Sequence, residues 1–244
     1  MWKVLSDILL AIDDGALSAL MMLFFSAAFY TVDHDSLLRR LDNSHGLSGT
    51  VLHWFESYLL GRRQHVRIGS TFSLLSTMFC GVPQGSVLGP MLFLLYFARL
   101  LQLIESVDLR PHQYADDIQI YGFCAPSETQ ALLNCLSTCI DRVAEWMRSK
   151  RLQLNSAKTE VLWAATSRRL HQLSQSPLRV DTDLVTSTAV VHNLEIFIDA
   201  DVLMKTHVMR TVSSCFAVMR QLRSIRCSVS RTILQSPMLS LILS

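Results

Sequence analysis

Charge, glycine and proline are all scarce in this 244-residue sequence: 17% of residues are charged, nine are Gly and six are Pro. Half of the residues are hydrophobic. That excludes an intrinsically disordered chain, which needs low hydrophobicity and high net charge. The low Gly and Pro content excludes a collagen-like or low-complexity polymer. Neither sign of charge dominates, because 22 Lys and Arg against 20 Asp and Glu leave only +2. No global basic field therefore marks the chain as a nucleic-acid binder. The length suffices for one large domain or two small ones, with a substantial buried core.

An uninterrupted apolar span is missing as well. Residues 68–98 carry no charge and by length alone could cross a bilayer, which takes about 20 residues. Their middle, however, reads Cys80-Gly-Val-Pro-Gln-Gly-Ser-Val-Leu-Gly-Pro90, and the apolar part that follows covers only 91–98. Residues 16–29 are also short, and Asp7, Asp13 and Asp14 precede them where a signal peptide carries basic residues. The expectation is no signal peptide, no transmembrane helix and no membrane partner, with an intracellular location, nuclear or cytoplasmic. None of the six cysteines forms a C-x-x-C pair and none of the eight histidines completes a zinc spacing, so structural thiols in a reducing compartment are expected.

What is present divides into recognisable elements. Apolar spacing predicts a helix over 4–12, and the continuous apolar run 19–25 predicts a central strand buried on both faces. Helices are expected over 34–41 and 48–60, stopped by Gly46 and Gly61. Residues 64–68 and 74–79 flank Gly69-Ser70 as a hairpin, and a helix follows over 86–105. Two short strands surround an acidic pair at 113–121. The strongest helical period spans 127–151, with Ser127 as its expected N-cap. Residues 161–165 read as a strand, 167–188 as a polar loop or linker, and 190–198 as a strand pair. From residue 202 onward the charges are Lys205, Arg210, Arg220, Arg223, Arg226 and Arg231, with no acid among them. Such a set is either a solvated face of a core-packed helix or a phosphate-contacting one.

The sharpest chemical feature is Asp116-Asp117, set between two strands. Adjacent carboxylates repel, and burying them requires a compensating cation. Hard oxygen ligands of this kind suit Mg²⁺.

In context the pair sits inside an ordered series of motifs. Ser26-Ala-Ala-Phe29 is followed by Thr31-Val-Asp-His34, and a helix-like segment covers 54–62. Gly81-Val-Pro-Gln-Gly-Ser-Val-Leu-Gly-Pro90 comes next, then Tyr114-Ala-Asp-Asp117, then Leu154-Asn155 through Lys158-Thr-Glu160. The series closes with residues 194–199 and the basic tail. In order and spacing it resembles the reverse transcriptases of non-LTR (LINE-type, jockey-like) retrotransposons over nearly the whole chain. The resemblance implies an α+β fold: a polymerase palm, with an antiparallel sheet backed by helices, over residues 1–200, and a partial helical thumb over 201–244. It also implies RNA-directed DNA polymerase chemistry, in which two metal ions activate a primer 3′-OH and stabilise the leaving pyrophosphate. Its partners would be an RNA template and a DNA primer, and its cofactor Mg²⁺.

By the same resemblance, Asp116 ligates metal and Asp117 supports the metal or the primer end. Lys158 stands near the leaving phosphate. Gln84 and Gly85 border the incoming nucleotide, and Phe29 crowds a ribose 2′-OH so as to select deoxynucleotides. Arg210, Arg220, Arg223 and Arg226 become candidate phosphate contacts.

The sequence departs from the family at telling positions. The first motif of the family carries a metal-bridging Asp five residues before the aromatic gate, in a pattern like Leu-Asp-Leu-Ser-Ala-Ala-Phe-Asp. With Phe29 as the gate, that Asp falls on Phe24, and the last acid of the pattern falls on Tyr30. Phe cannot ligate Mg²⁺, and Asp33 and Asp35 lie too far along the chain to substitute. Glu195 stands where relatives often have Gly, which places the tight turn there in doubt. The motif positions further imply that a fingers segment is largely missing ahead of residue 1 and that the thumb is cut short. The expectation is a truncated, degenerate and catalytically inactive copy, with two alternatives: a nucleic-acid-binding relic, or a product of an element without selected function.

Overall fold

In a computed structural model, residues 2–225 are described, apart from 26, 27, 151, 153, 174, 175, 181 and 182. Helix α1 (Trp2–Asp13) leads into β1 (Leu17–Leu23), and α2 (His34–Asn43) and α3 (Thr50–Leu59) follow. Four two-residue strands come next: β2 (Arg63–Gln64), β3 (Arg67–Ile68), β4 (Thr71–Phe72) and β5 (Ser76–Thr77). Helix α4 (Leu88–Glu105), the hairpin β6 (Arg110–Tyr114) and β7 (Asp117–Cys124), helix α5 (Thr129–Ser149) and β8 (Glu160–Ala164) complete the central layers. The chain continues through β9 (Leu178–Val180), β10 (Asp183–Val185), β11 (Val190–Asn193), β12 (Ile196–Asp199) and α6 (Lys205–Ile225).

The main sheet has the order β6-β7-β1-β8, with every neighbour antiparallel. All seven residues of β1 are buried, as its unbroken apolar run requires of a strand covered on both faces. Period-two alternation divides its side chains between two cores. Ala19, Met21 and Leu23 join Ile118, Ile120 and Trp163 beneath α2, α4 and α5. Leu20 and Met22 join Tyr121 and Leu162 beneath α1 and the β11–β12 hairpin. Asp7 of α1 accepts a 2.8 Å hydrogen bond from the Tyr121 hydroxyl and sits 3.5 Å from Arg110 Nη1. The antiparallel sheet backed by helices is the α+β architecture expected from the sequence.

Helix α4 is, among the described residues, the one helix long and apolar enough to cross a membrane by length and composition. Here it buries Leu92, Phe93, Tyr96, Phe97, Leu100 and Ile104 against the sheet, which gives its apolar face a partner inside the fold.

Three local expectations are corrected. Ser127 does not cap α5: a 3₁₀ turn over Pro126–Glu128 intervenes, and the helix begins at Thr129 with no side-chain cap. The polar stretch 167–188 is not simply a loop, because β9 and β10 pair within it. Leu178 and Val180 are buried against the main core, so tertiary packing overrides weak local preference. The turn at Glu195 does form, with both Leu194 (φ 46°) and Glu195 (φ 64°) in the left-handed region that a two-residue hairpin demands. Without glycine, that conformation costs of order 1 kcal/mol per residue.

Candidate functional site

The acidic pair sits at one end of the main sheet. Tyr114 and Asp117 are the last paired residues of the β6–β7 hairpin, so Ala115 and Asp116 form its two-residue turn. Ala115 takes φ 52° there. Asp116 and Asp117 are both half-buried. Burial, and secondarily the neighbouring Asp116 charge, push the Asp117 carboxyl above the ordinary carboxylate range. Folding thus disfavours the ionised form. This penalty is present at neutral pH and fades as pH falls through the raised value towards that of the unfolded chain. Asp117→Asn is accordingly expected to raise Tm at pH 7, with the gain over the natural chain shrinking as the solution is acidified. Equal melting at pH 7 would contradict it.

The register of β1 fixes what faces the pair. Leu23 is paired with Ile118 in the last pair of β1 and β7, and one step past that pair, on the side of Asp117, stands Phe24. Its ring is half-buried against the core that also holds Met22 and Tyr121, on the sheet face that alternation gives to Asp117. Asn155 N donates to Phe24 O at 2.9 Å, and Phe25 bridges to Leu154. Lys158 follows in the turn that begins at Asn155, with Lys158 N donating to Asn155 Oδ1 at 3.2 Å and its side chain exposed. The end of β1, the acidic turn and the Lys158 turn therefore lie together at one sheet end.

The Gly81–Pro90 motif docks beside them. Gly81 N donates to Val32 O at 2.7 Å and Val82 N to Phe29 O at 2.8 Å. His34 Nε2 donates to Gly81 O at 2.7 Å. At Gly81 a Cβ would stand 3.0 Å from Tyr30 Cα and Tyr30 O, on a backbone with φ +93°. Only glycine allows that approach. Phe29 is half-buried, with its ring stacked on Phe93 at 4.5 Å. Gln84 and Gly85 are exposed beyond the docked turn. Asp33 serves as N-cap of α2, its Oδ2 accepting from Ser36 N at 2.8 Å.

Two residues of this region were not singled out in the sequence. Ser86 Oγ donates to Pro83 O at 2.7 Å and accepts from Gly89 N at 3.0 Å, so it caps the approach to α4. Gly89 has no room for a side chain, because a Cβ would fall 2.3 Å from Pro83 O. Ser86 just ahead of an apolar helix was the available sign of the cap, whereas nothing local marks Gly89.

The basic candidates lie elsewhere. Arg210 is exposed, with its guanidinium 4.3 Å from the Phe197 ring centroid. Arg220 Nε donates to Phe216 O within α6, and Arg223 is exposed at its end. Arg226 lies outside the described residues. Val208, Val212, Phe216 and Met219, the helix-period apolar positions, are exposed rather than packed on the core.

A divalent ion fits this site poorly. Among the described residues no three His, Cys, Asp or Glu side chains converge to hold one. The residue that follows β1 at this end of the sheet is Phe24, whose ring offers no metal ligand.

Comparison with known proteins agrees with this layout. Residues 12–180 match the family model described as reverse transcriptase (RNA-dependent DNA polymerase). The chain is 27% identical over 228 residues to the Drosophila melanogaster protein described as "Probable RNA-directed DNA polymerase from transposon BS", covering 91% of this chain and 24% of that protein. It is 30% identical over 172 residues to "Probable RNA-directed DNA polymerase from transposon X-element" of the same organism, covering 68% of this chain and 18% of that protein. The chain thus spans a quarter or less of the length of these relatives. Among solved structures, apo telomerase from Candida tropicalis truncated from its C-terminal domain superposes with a TM-score of 0.56 at 12% identity, over 82% of this chain and 39% of that one. Telomerase from Candida albicans in complex with the TWJ fragment of telomeric RNA gives 0.57 at 12% identity, over 82% and 34%. With the antiparallel sheet, the acidic hairpin turn and the docked Gly81–Pro90 loop in the order of the motifs, the chain belongs to the reverse transcriptase (RNA-dependent DNA polymerase) family, in its retrotransposon form.

Proposed function

We propose that this chain is a reverse-transcriptase palm that engages an RNA template and a DNA primer without extending the primer. The observation that carries the reading is Phe24, one step past the Leu23–Ile118 pair on the side of Asp117. Family chemistry needs carboxylates from both strands to hold two ions, and the residue that follows β1 supplies a phenyl ring instead. Losing such a ligand should cost several kcal/mol of transition-state stabilisation, each ~1.36 kcal/mol being tenfold in rate. The template and primer enter from the family membership and from the exposed Arg220 and Arg223 on α6, since cations on one element attract phosphates. In this reading Gln84, Gly85 and Phe29 border the nucleotide position and Lys158 faces its phosphates. Mg²⁺ is the cation that an intact family site would take.

The test uses an RNA template with a labelled DNA primer, Mg²⁺ and deoxynucleotides. The natural chain is expected to retain the hybrid at low salt, to release it steeply as salt rises, and to give no extended product. Extension within about tenfold of an active relative would defeat the loss of catalysis. Failure to retain the hybrid at low salt would defeat the binding.

A further inference from the structure

On the helical side of the sheet, across it from Asp117, a cavity of about 390 Å³ opens between α2, α4 and α5. Its lining is cationic, with Arg39, Arg40, Arg99 and Lys150 joined by Ser36 and Asn43. Four positive side chains converging on one cavity repel one another unless something negative is present. Arg110–Asp7, the salt bridge among the described residues, lies elsewhere, and no Asp or Glu lines the cavity. Asp33 lines the adjoining cavity with Lys150 and is engaged as the cap of α2, and Asp35 and Asp42 lie on α2 within four residues of Arg39. Four lining cations against no lining acid leave the cavity a positive excess.

Arg40 is the unusual member. It is only 8% exposed, although an arginine is rarely buried without a partner. Its guanidinium lies 4.7 Å from the Tyr96 ring centroid and 5.4 Å from that of Trp146, and Nη1 donates to Tyr96 O. A guanidinium carries five N–H donors in a planar fork. Arg40 lines the cavity, and Tyr96 O is the acceptor its fork meets among the described residues. Burial holds the Arg40 guanidinium below its usual range, with nearby Arg99 adding to the effect. Burial does the same to the Lys150 ammonium, with Arg40 and Arg39 next in effect. A planar, aromatic-backed fork flanked by further cations matches the way proteins seize phosphate oxygens.

We propose that this cavity is a phosphate-binding site, distinct from the acidic end of the sheet, that takes a phosphate-bearing anion such as a polyphosphate or a nucleic-acid backbone. Its volume lies at the small end of ligand pockets, which run from about 300 to 1,000 Å³. Its polar walls suit an anion rather than an apolar ligand.

The site is tested by titrating the whole chain with inorganic triphosphate in a calorimeter, alongside an Arg39→Glu, Arg99→Glu variant. Both of these residues are exposed, so the variant is expected to keep the natural Tm. A charge-matched control, Arg63→Glu with Arg142→Glu, reverses two exposed cations that do not line the cavity. Triphosphate affinity is expected to fall by about tenfold or more in the cavity variant and to stay within about twofold in the control. A 20-nucleotide single-stranded RNA, followed by anisotropy, separates the two sources. RNA affinity that falls in step assigns the phosphate to a nucleic-acid backbone, and RNA affinity that stays put assigns it to a free polyphosphate. No triphosphate binding, or equal binding by the cavity variant and the control, overturns the site.

Discussion

Phe24→Asp is expected to bind Mn²⁺ about tenfold or more tightly than the natural chain, and to be stabilised by the ion where the natural chain is not. Residue 24 lies one step past the Leu23–Ile118 pair, on the side of Asp117, so an Asp there brings a third carboxylate towards Asp116 and Asp117. Without the ion the variant should be the weaker fold. It gives up part of the burial of a ring packed beside Met22 and Tyr121, a loss of about 1–2 kcal/mol. It also gathers three like charges, which repel most where water is partly excluded. With the ion the balance reverses: a ligand at a hundred times its Kd adds about 2.7 kcal/mol to stability. The signature is therefore a Tm that is low in chelator and climbs with Mn²⁺, set against a flat response from the natural chain. Adding Tyr30→Asp completes the acids of the motif at little structural cost, because Tyr30 is exposed. If the double variant extends a primer and the natural chain does not, the missing carboxylates account for the silence. A Phe24→Asp chain whose melting ignores Mn²⁺ would refute the placement of residue 24 in the ion site.

The second large effect concerns folding. Gly89→Ala should destabilise the chain by about 3 kcal/mol, a large share of the 5–15 kcal/mol that holds a typical domain together. At an ordinary helical glycine the change to Ala stabilises by about 1 kcal/mol, so the predicted sign is opposite to the default. The cause is contact: the new Cβ would meet Pro83 O at 2.3 Å and Ser86 Oγ at 3.0 Å. Pro83 O is backbone and also accepts the Ser86 hydroxyl, so it cannot yield without lifting α4 off the docked loop. Gly85→Ala is the companion measurement. Its φ of +80° is strained for Ala, but nothing lies within 4 Å of the added carbon, so only about 1 kcal/mol is expected. Urea unfolding of the two variants separates crowding from backbone strain, and a neutral Gly89→Ala would show that the loop is free to retreat.

Much of this was legible because local pattern and tertiary context agree. The unbroken apolar run around Met21 announced a doubly covered strand, and the Asp116-Asp117 pair announced a turn between strands. The Gly69-Ser70 punctuation likewise marked a hairpin. What stayed hidden depends on partners distant in the sequence. Leu178 and Val180 look like residues of a polar loop until the core receives them. Gly89 reads as an ordinary helix residue until Pro83 folds back on it. Arg40 follows Leu37 by one helical turn, on a stripe that should be apolar, and that misplaced charge was the available clue to the cavity. Val208 and Phe216 repeat at helical spacing on α6, yet both stay exposed.

The strand order also sets a timetable for synthesis. Leu23 must find Ile118, its partner 95 positions later in the chain. Translation proceeds at roughly 5–20 residues per second, so the most apolar strand of the sheet emerges on the order of 5–20 seconds before its neighbour exists. Throughout that interval Leu17–Leu23 offers both an oily surface and an unpaired edge, the combination that invites association with other chains. Until the acidic hairpin arrives, α1 is an element already made that packs on β1.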